Sequence, residues 1–334
     1  MAVLYVKEQG SLVQKRGERL VVTKHTNTLL DIPIIQVENI TLIGNVQVTA
    51  QALHMLMERG IDVSHFSYSG AYLGHTASDA SKNIFLRFEQ YGYYLDMEKR
   101  LHMAKVIVEN KARNQMALIK EHRWNGTDYQ WKRDVAQMEK YLERLWQKKT
   151  PNEVLGVEGV CSNIYFSAFG KMLKCDFTFT GRNRRPPKDP VNVMISLAYT
   201  FLTKEVCNAL DSESFETYLG FLHGIRYGRK SLALDVIEEF RQSVVDRLII
   251  LMFNKRMIGK FDFEFSEDGR VILNEDGFPK FCREYEKWMS GKNVAAGEGS
   301  FRIKIREQVA LLKKAIVSGT EYKPYRWEKR DVCY

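Results

Sequence analysis

Along the first eighty residues the apolar positions come in short β-branched runs. VLYV, SLVQK, RLVVTK, IPIIQV and NITLIG are separated by Gly, Asn and charged turn residues, which predicts a set of short strands. One window breaks the pattern. TAQALHMLMERG has apolar positions three and four apart behind Thr49, an N-cap type, and stops at Gly60, so it predicts a helix. IDVSHFS and AYLGHT then return to strand spacing. After the polar stretch TASDASKN (76–83) the period changes. No proline occurs between Pro33 and Pro151, and YYLDMEKRLHMAKVIVENKARNQMALIKEH repeats its apolar residues at helical spacing. DYQWKRDVAQMEKYLERLWQKK predicts a second helix, with Asp128 as its cap. Further helices are predicted at 152–173, 191–210, 231–253, 277–289 and 301–318. A hairpin, DFEFSEDGRVIL, interrupts them at the Asp268-Gly269 turn. The pattern predicts an α+β chain: a small β-rich, sandwich-like domain over residues 1–80 and a larger, mostly helical domain over 81–334.

Composition narrows the class. At 334 residues, 45% hydrophobic and 27% charged, the chain is an ordinary globular one with room for two cores. Five scattered cysteines form no CxxC pair and no zinc spacing, so the expectation is reduced thiols in a cytoplasmic protein. The N-terminus has no signal pattern, and the longest aliphatic run, LIILMF (248–253), is too short for a bilayer; no membrane association is expected. The net charge of +9 is unevenly placed. Residues 1–80 hold six Lys/Arg against seven Asp/Glu, and the rest holds 44 against 34, a net of −1 beside +10. A basic surface confined to the helical part suits a polyanion, because each neutralised phosphate releases a condensed counterion.

Candidate chemistry gathers in three stretches. YLGFLHGIRYGRKSLALDVIEEFR (218–241) places His223 before a Gly-rich basic turn and a helix that opens with Asp235, Glu238 and Glu239. An imidazole beside helix carboxylates reads as part of a divalent-metal site that lacks an anionic ligand from another segment. NEVLGVEGVCSNIYFSAFGKML (152–173) offers one: with Val157, Val160, Ile164 and Ala168 as the apolar stripe, Glu158 falls about 100° from its centre, at the edge of the buried face. Between them lies FTGRNRRPPKDPVN (179–192), a proline-framed loop with Arg182, Arg184 and Arg185. Guanidinium forks match phosphate oxygens in pairs, so this loop is expected to contact phosphate rather than bases. The bland alternatives are a helix-border glutamate, a turn histidine and a solvated basic linker.

LGVEG, RNRRPPKDPVNVMISLAYTFL and YLGFLHGIRYGRKSLALDVIEEFR, in this order and spacing, resemble the CRISPR-associated adaptation integrase, the near-universal CRISPR protein numbered one. The RPPKDPVN form most resembles the version beside type I systems, subtype I-C. The resemblance implies a metal-dependent DNA endonuclease and integrase that inserts spacer DNA into a CRISPR array by attack of a 3′-hydroxyl on a repeat phosphodiester. It implies metal ligands at Glu158, His223 and Glu238, where many members carry Asp at the third position. Two carboxylates and one imidazole suit Mn²⁺ or Mg²⁺. The partners it implies are double-stranded DNA, a second copy of this chain through the β domain, and a small ferredoxin-like protein. Arg182, Arg184, Arg185, Arg226, Arg229 and Lys230 are expected to position DNA as a group. Two readings compete: a branched-DNA repair nuclease, and a non-catalytic basic DNA-binding scaffold. A helical wheel assigns the three acids of the third stretch. With Ile237 at the stripe's centre, Glu238 lies about 100° away and Asp235 and Glu239 about 160° away. Glu238 is then the ligand, Asp235 an acid beside it that steadies a ligand or a water, and Glu239 a solvated charge. Tyr165, Tyr199 and Tyr218 are weighed as DNA contacts against core packing. Tyr325 and Trp327 are weighed as an end-stacking platform against a disordered tail.

Overall fold

The structure, a computed structural model, describes residues 2–78, 83–122, 130–183, 186–267, 269–291 and 300–327, and the chain divides into two compact units at Lys82/Asn83.

The N-terminal unit is a pair of four-stranded sheets. β1 (Ala2–Val6), β5 (Val37–Ile43), β7 (Val63–Phe66) and β8 (Tyr72–Thr76) form one, in the order β1-β5-β7-β8. Its first two pairings are parallel and the third antiparallel. The other has the order β4-β3-β2-β6, from β2 (Leu12–Arg16), β3 (Arg19–Lys24), β4 (Asn27–Pro33) and β6 (Gln47–Val48). Both sheets and α1 (Ala50–Glu58) bury one core, with Val6, Ile40, Leu42 and Val63 from the first, Val13, Leu20 and Val22 from the second, and Met55 and Leu56 from the helix. The sandwich-like expectation holds. The Thr49 hydroxyl accepts from Ala52 N at 3.2 Å, as an N-cap should. IPIIQV is not a strand as read: its centre, Ile34–Gln36, is a 3₁₀ turn, and the missed strand is β4 just before it. β4 is a largely exposed edge strand, so alternation could not mark it.

The second unit is helical: α2 (Ile84–Leu95), α3 (Met97–Glu121), α4 (Trp131–Glu143), α5 (Pro151–Met172), α6 (Pro190–Ser212), α7 (Ser231–Ile237), α8 (Arg247–Asn254), α9 (Gly277–Met289) and α10 (Phe301–Ser318). The long periodic stretch is two helices. Asp96 ends α2 and caps α3, accepting from Glu98 N at 3.1 Å and Lys99 N at 3.0 Å. A complete capping box of Thr150 and Glu153 starts α5, with Pro151 at its first position. The predicted helix over 231–253 is broken: α7 ends at Ile237, a turn follows, and Arg241–Asp246 is a π-helix leading into α8. The hairpin is β9 (Phe263–Phe265) with β10 (Val271–Leu273). Its turn residue Asp268 and the predicted cap Asp128 lie outside the described residues. None of the described helices is long and apolar enough to cross a membrane.

Candidate metal centre

The buried stripe of α5 runs Val154, Val157, Cys161, Tyr165, Ala168, and Glu158 sits on its shoulder with its side chain 21% exposed. α3 packs along this face. Its Lys111 ammonium binds Glu158 Oε1, which also accepts from the Ser162 hydroxyl at 2.8 Å. The same ammonium reaches Glu238 Oε2 at 2.7 Å. Glu238 stands just past the end of α7 and is buried, and Arg241 Nε donates to its Oε2 at 2.8 Å. Residues 158 and 238 are thus gathered around one buried cation. Burial alone raises the Glu238 carboxyl, but Arg241, Lys111 and His223 outweigh it and hold the group at about 2. Burial likewise raises Glu158; Lys111 more than offsets this and the nearby Glu238 charge, so the net shift is downward.

Asp235 organises His223. Its Oδ2 accepts from Phe221 N at 2.6 Å and Leu222 N at 3.0 Å, and its Oδ1 accepts from His223 N at 3.0 Å and His223 Nδ1 at 2.7 Å. An ionised carboxylate only accepts, so Nδ1 donates to it, and in the neutral ring the lone pair is then on Nε2. Asp235 is 1% exposed and both its oxygens are used; it holds the loop and the ring rather than water. The loop can approach this closely because residue 220 is glycine. A Cβ there would meet Ser231 C at 2.7 Å and Asp235 Oδ2 at 2.8 Å. Gly220→Ala is therefore expected to cost about 1–3 kcal/mol as an overpacked site, with thermal melting as the check. A melting temperature equal to wild type would show that the loop relaxes freely.

Glu239 is corrected. It is 1% exposed, not solvated. Its carboxylate accepts from the Tyr322 hydroxyl, from Tyr325 N at 2.7 Å and from Gln308 Nε2 at 3.3 Å. The wheel failed because it assumed one solvated face, whereas α7 is buried nearly all round, Asp235 as fully as Glu239, and the tail covers Glu239. Asn114 completes the dock, donating to Tyr325 O at 3.2 Å and accepting from Trp327 N at 3.0 Å. The Tyr325 ring stacks on Phe240 at 5.0 Å and Trp327 is buried, so these described tail residues are neither a free platform nor disordered. Burial pushes Glu239 up to about 7 despite its donors. A folded pKa above the unfolded one favours folding fully below the unfolded value and loses that contribution as pH rises through about 7. Glu239→Gln should thus flatten the fall in melting temperature between about pH 5 and 8 in metal-free protein; an unchanged slope would assign that fall to other groups.

Tyr165 and Tyr199 are core residues, donating to Asp246 Oδ2 and Oδ1 at 2.6 and 2.7 Å, while Tyr218 is exposed. Arg182 folds back onto α6, donating to Asn192 Oδ1 at 2.7 Å and Ser196 Oγ at 2.9 Å. Arg229 closes its own loop, through Gly224 O and Ser231 Oγ, and Lys230 Nζ lies 3.9 Å from Asp211. Arg226 stands exposed beside the fully exposed Tyr227. Arg184 and Arg185 lie outside the described residues.

Sequence reasoning missed Lys111 and its neighbours Asn110, Asn114 and Gln115, all buried. A signal was present. α3 is apolar on several faces, so polar residues recurring at i and i+4 had to be buried among them. Among the described residues no group of three or more His, Cys, Asp or Glu side chains is placed to hold a metal ion. The donors nonetheless fit one: the two carboxylates already share a cation, and the imidazole offers a neutral nitrogen.

A family profile described as "CRISPR associated protein Cas1" matches residues 4–287. The "CRISPR-associated endonuclease Cas1 3" of Thermus thermophilus is 32% identical, covering 97% of each chain. Among solved structures, a "Casposase bound to integration product" superposes with a TM-score of 0.86 at 24% identity, covering 100% of this chain and 96% of the other. A chain of a "Partial Cas6-RT-Cas1--Cas2 complex" gives 0.67 at 25% identity, covering 98% of each.

Proposed function

We propose, from the premise that this chain belongs to the CRISPR-associated Cas1 family, that it is a metal-dependent DNA integrase and endonuclease of CRISPR adaptation. One observation carries the reading: Glu158 and Glu238, distant in sequence, share one buried cation. His223, whose Nδ1 is committed to Asp235, supplies the third donor through Nε2. Glu158, Glu238 and His223 would hold Mn²⁺ or Mg²⁺. When bound, such an ion neutralises charge on a phosphodiester and lowers the pKa of an attacking oxygen. Ser162 fixes the Glu158 carboxylate, and Arg241 fixes that of Glu238.

The 3′-hydroxyl of an incoming fragment attacks a repeat phosphodiester: its proton passes to water, one P–O bond forms, another breaks, and the leaving 3′-oxygen takes up a proton from water. Water in place of that hydroxyl gives cutting from the same residues. Among the described residues proposed to position DNA, Arg226 is more exposed than Arg182, Arg229 and Lys230; the proposed group also includes Arg184 and Arg185. Double-stranded DNA, a second copy of the chain through its β unit and a small ferredoxin-like protein of the Cas2 kind are the proposed partners, in the cytoplasm. Two units serving dimerisation and catalysis follow the division at Lys82/Asn83.

The deciding experiment incubates the purified protein with a labelled 3′-hydroxyl duplex, a repeat-containing target and Mn²⁺, with and without the small partner. Joined products that need Mn²⁺ and increase with the partner are expected. Cutting of branched DNA without any joining would favour the repair-nuclease reading. The scaffold reading draws on the neutralisation of Glu158 and Glu238 by Lys111 and Arg241. It predicts no joining, no cutting and no thermal stabilisation by Mn²⁺.

A further inference from the structure

Lys111 is an unusual occupant for a metal centre. Its side chain is 9% exposed and its ammonium binds both acids that the proposed function assigns as ligands. A buried ammonium is tolerable only where its charge is matched, and here two carboxylates match it together with the Arg241 guanidinium. Each acid has a second donor of its own, Ser162 for Glu158 and Arg241 for Glu238. Neither carboxylate is therefore left bare if the ammonium departs.

Gln115 supplies a place for it to go. Its amide nitrogen donates weakly to Ser162 Oγ at 3.4 Å, while its Oε1 is buried and has no hydrogen-bond partner. A buried unpaired acceptor costs free energy and calls for an explanation. Residues 111 and 115 are four apart on α3 and share one face, and Gln115 touches Ser162, which donates to the same Glu158 oxygen that Lys111 binds.

We infer that Lys111 is a built-in competitor for the metal. In metal-free protein it holds Glu158 and Glu238 together as one neutralised cluster. A divalent cation takes over both carboxylates, and the ammonium, still protonated, moves to Gln115 Oε1. The inference rests on the reading of Glu158 and Glu238 as ligands. Its consequence is that Lys111 lowers metal affinity, because part of the binding free energy is spent on the exchange.

The test is Mn²⁺ titration by calorimetry, paired with melting curves, on wild type, Lys111→Met, Gln115→Met and the double variant. Lys111→Met should melt lower without metal, since two acids then face each other with one guanidinium. It should bind Mn²⁺ roughly tenfold more tightly, as expected when a competing state is removed. Lys111→Arg keeps the charge and should bind no more tightly than wild type. Gln115→Met should weaken Mn²⁺ binding when Lys111 is present and leave Lys111→Met unaffected. Equal or weaker Mn²⁺ binding by Lys111→Met overturns the competitor role, and equal weakening by Gln115→Met in both backgrounds overturns the exchange. If Lys111→Met does not fold, Lys111→Gln replaces it in both comparisons, and unchanged Mn²⁺ binding by Gln115→Met in otherwise wild-type protein overturns the exchange by itself. If wild type binds Mn²⁺ and these outcomes fail, only this inference is lost. If no variant binds Mn²⁺, the ligand assignment itself falls and the competitor role goes with it.

Discussion

Glu158→Gln will lose strand joining and DNA cutting together, by at least about a hundredfold, while the protein still folds and binds duplex DNA. The size follows from removing one anionic group from a preorganised site that stabilises charge on a phosphodiester. The selectivity follows from position. Glu158 is on the shoulder of α5 and partly open, and its removal leaves Lys111 paired with Glu238. The fold should therefore lose only about 1–3 kcal/mol, the cost of one disturbed charged hydrogen bond. Glu238→Gln is a harsher change. It leaves Lys111 and Arg241, both largely buried, with Glu158 as the remaining acid of the cluster. Breaking a buried pair from one side costs about 3–5 kcal/mol, so lost activity there would mix chemistry with unfolding. Glu158→Gln is the cleaner probe for that reason. Turnover above about a tenth of wild type in saturating Mn²⁺ would remove Glu158 from the ligand set.

How much of this was legible in the sequence depended on what each segment buries against. The limits of α9 and α10 coincide with the predicted ones, and those of α5 and α6 lie within two residues; Thr150 and Asp189, each followed by proline, start α5 and α6, and left-handed Gly319 ends α10. The stripe on α5 was read about one residue off: Cys161 and Tyr165 are buried, while Val160 and Ile164 are only partly so. Glu158 stays on the shoulder either way. The edge strand β4 was missed because only Leu30 and Ile32 pack against the core, and only in part. Lys111 was missed for the opposite reason, since a lysine in a helix reads as solvated until a second and a third segment bring acids to it. The tail was illegible alike. YKPYRW has no periodicity, and what holds it is a carboxylate about eighty residues earlier that the wheel had turned toward water.

Asp235→Asn is the second large effect, and it separates holding a ligand from being one. Four N–H donors converge on this carboxylate, two on each oxygen. Asparagine keeps one oxygen and replaces the other with a donor. With the amide nitrogen toward Phe221 and Leu222, two backbone N–H groups face another N–H group; turned the other way it faces His223 N–H and a ring that must move its proton to Nε2. Each unmet buried donor costs about 1–3 kcal/mol, so the expected loss of stability is several kcal/mol and exceeds that of Glu158→Gln. Either way His223 loses the charged partner that fixes its ring and its tautomer, so metal affinity should fall about 10–100-fold without vanishing, as for other groups that orient a liganding histidine. Glu238→Gln should lower Mn²⁺ affinity more than Asp235→Asn does. Glu239→Gln should lower it least, because Glu239 is spent on the tail. The measurement is calorimetric Mn²⁺ binding corrected for the folded fraction, which a purely structural role would leave unmoved. Complete loss of Mn²⁺ binding in folded Asp235→Asn, with Glu238→Gln still binding, would exchange the two roles. Asp235 would then have to release the backbone of Phe221 and Leu222 to reach the metal, an arrangement its 1% exposure opposes.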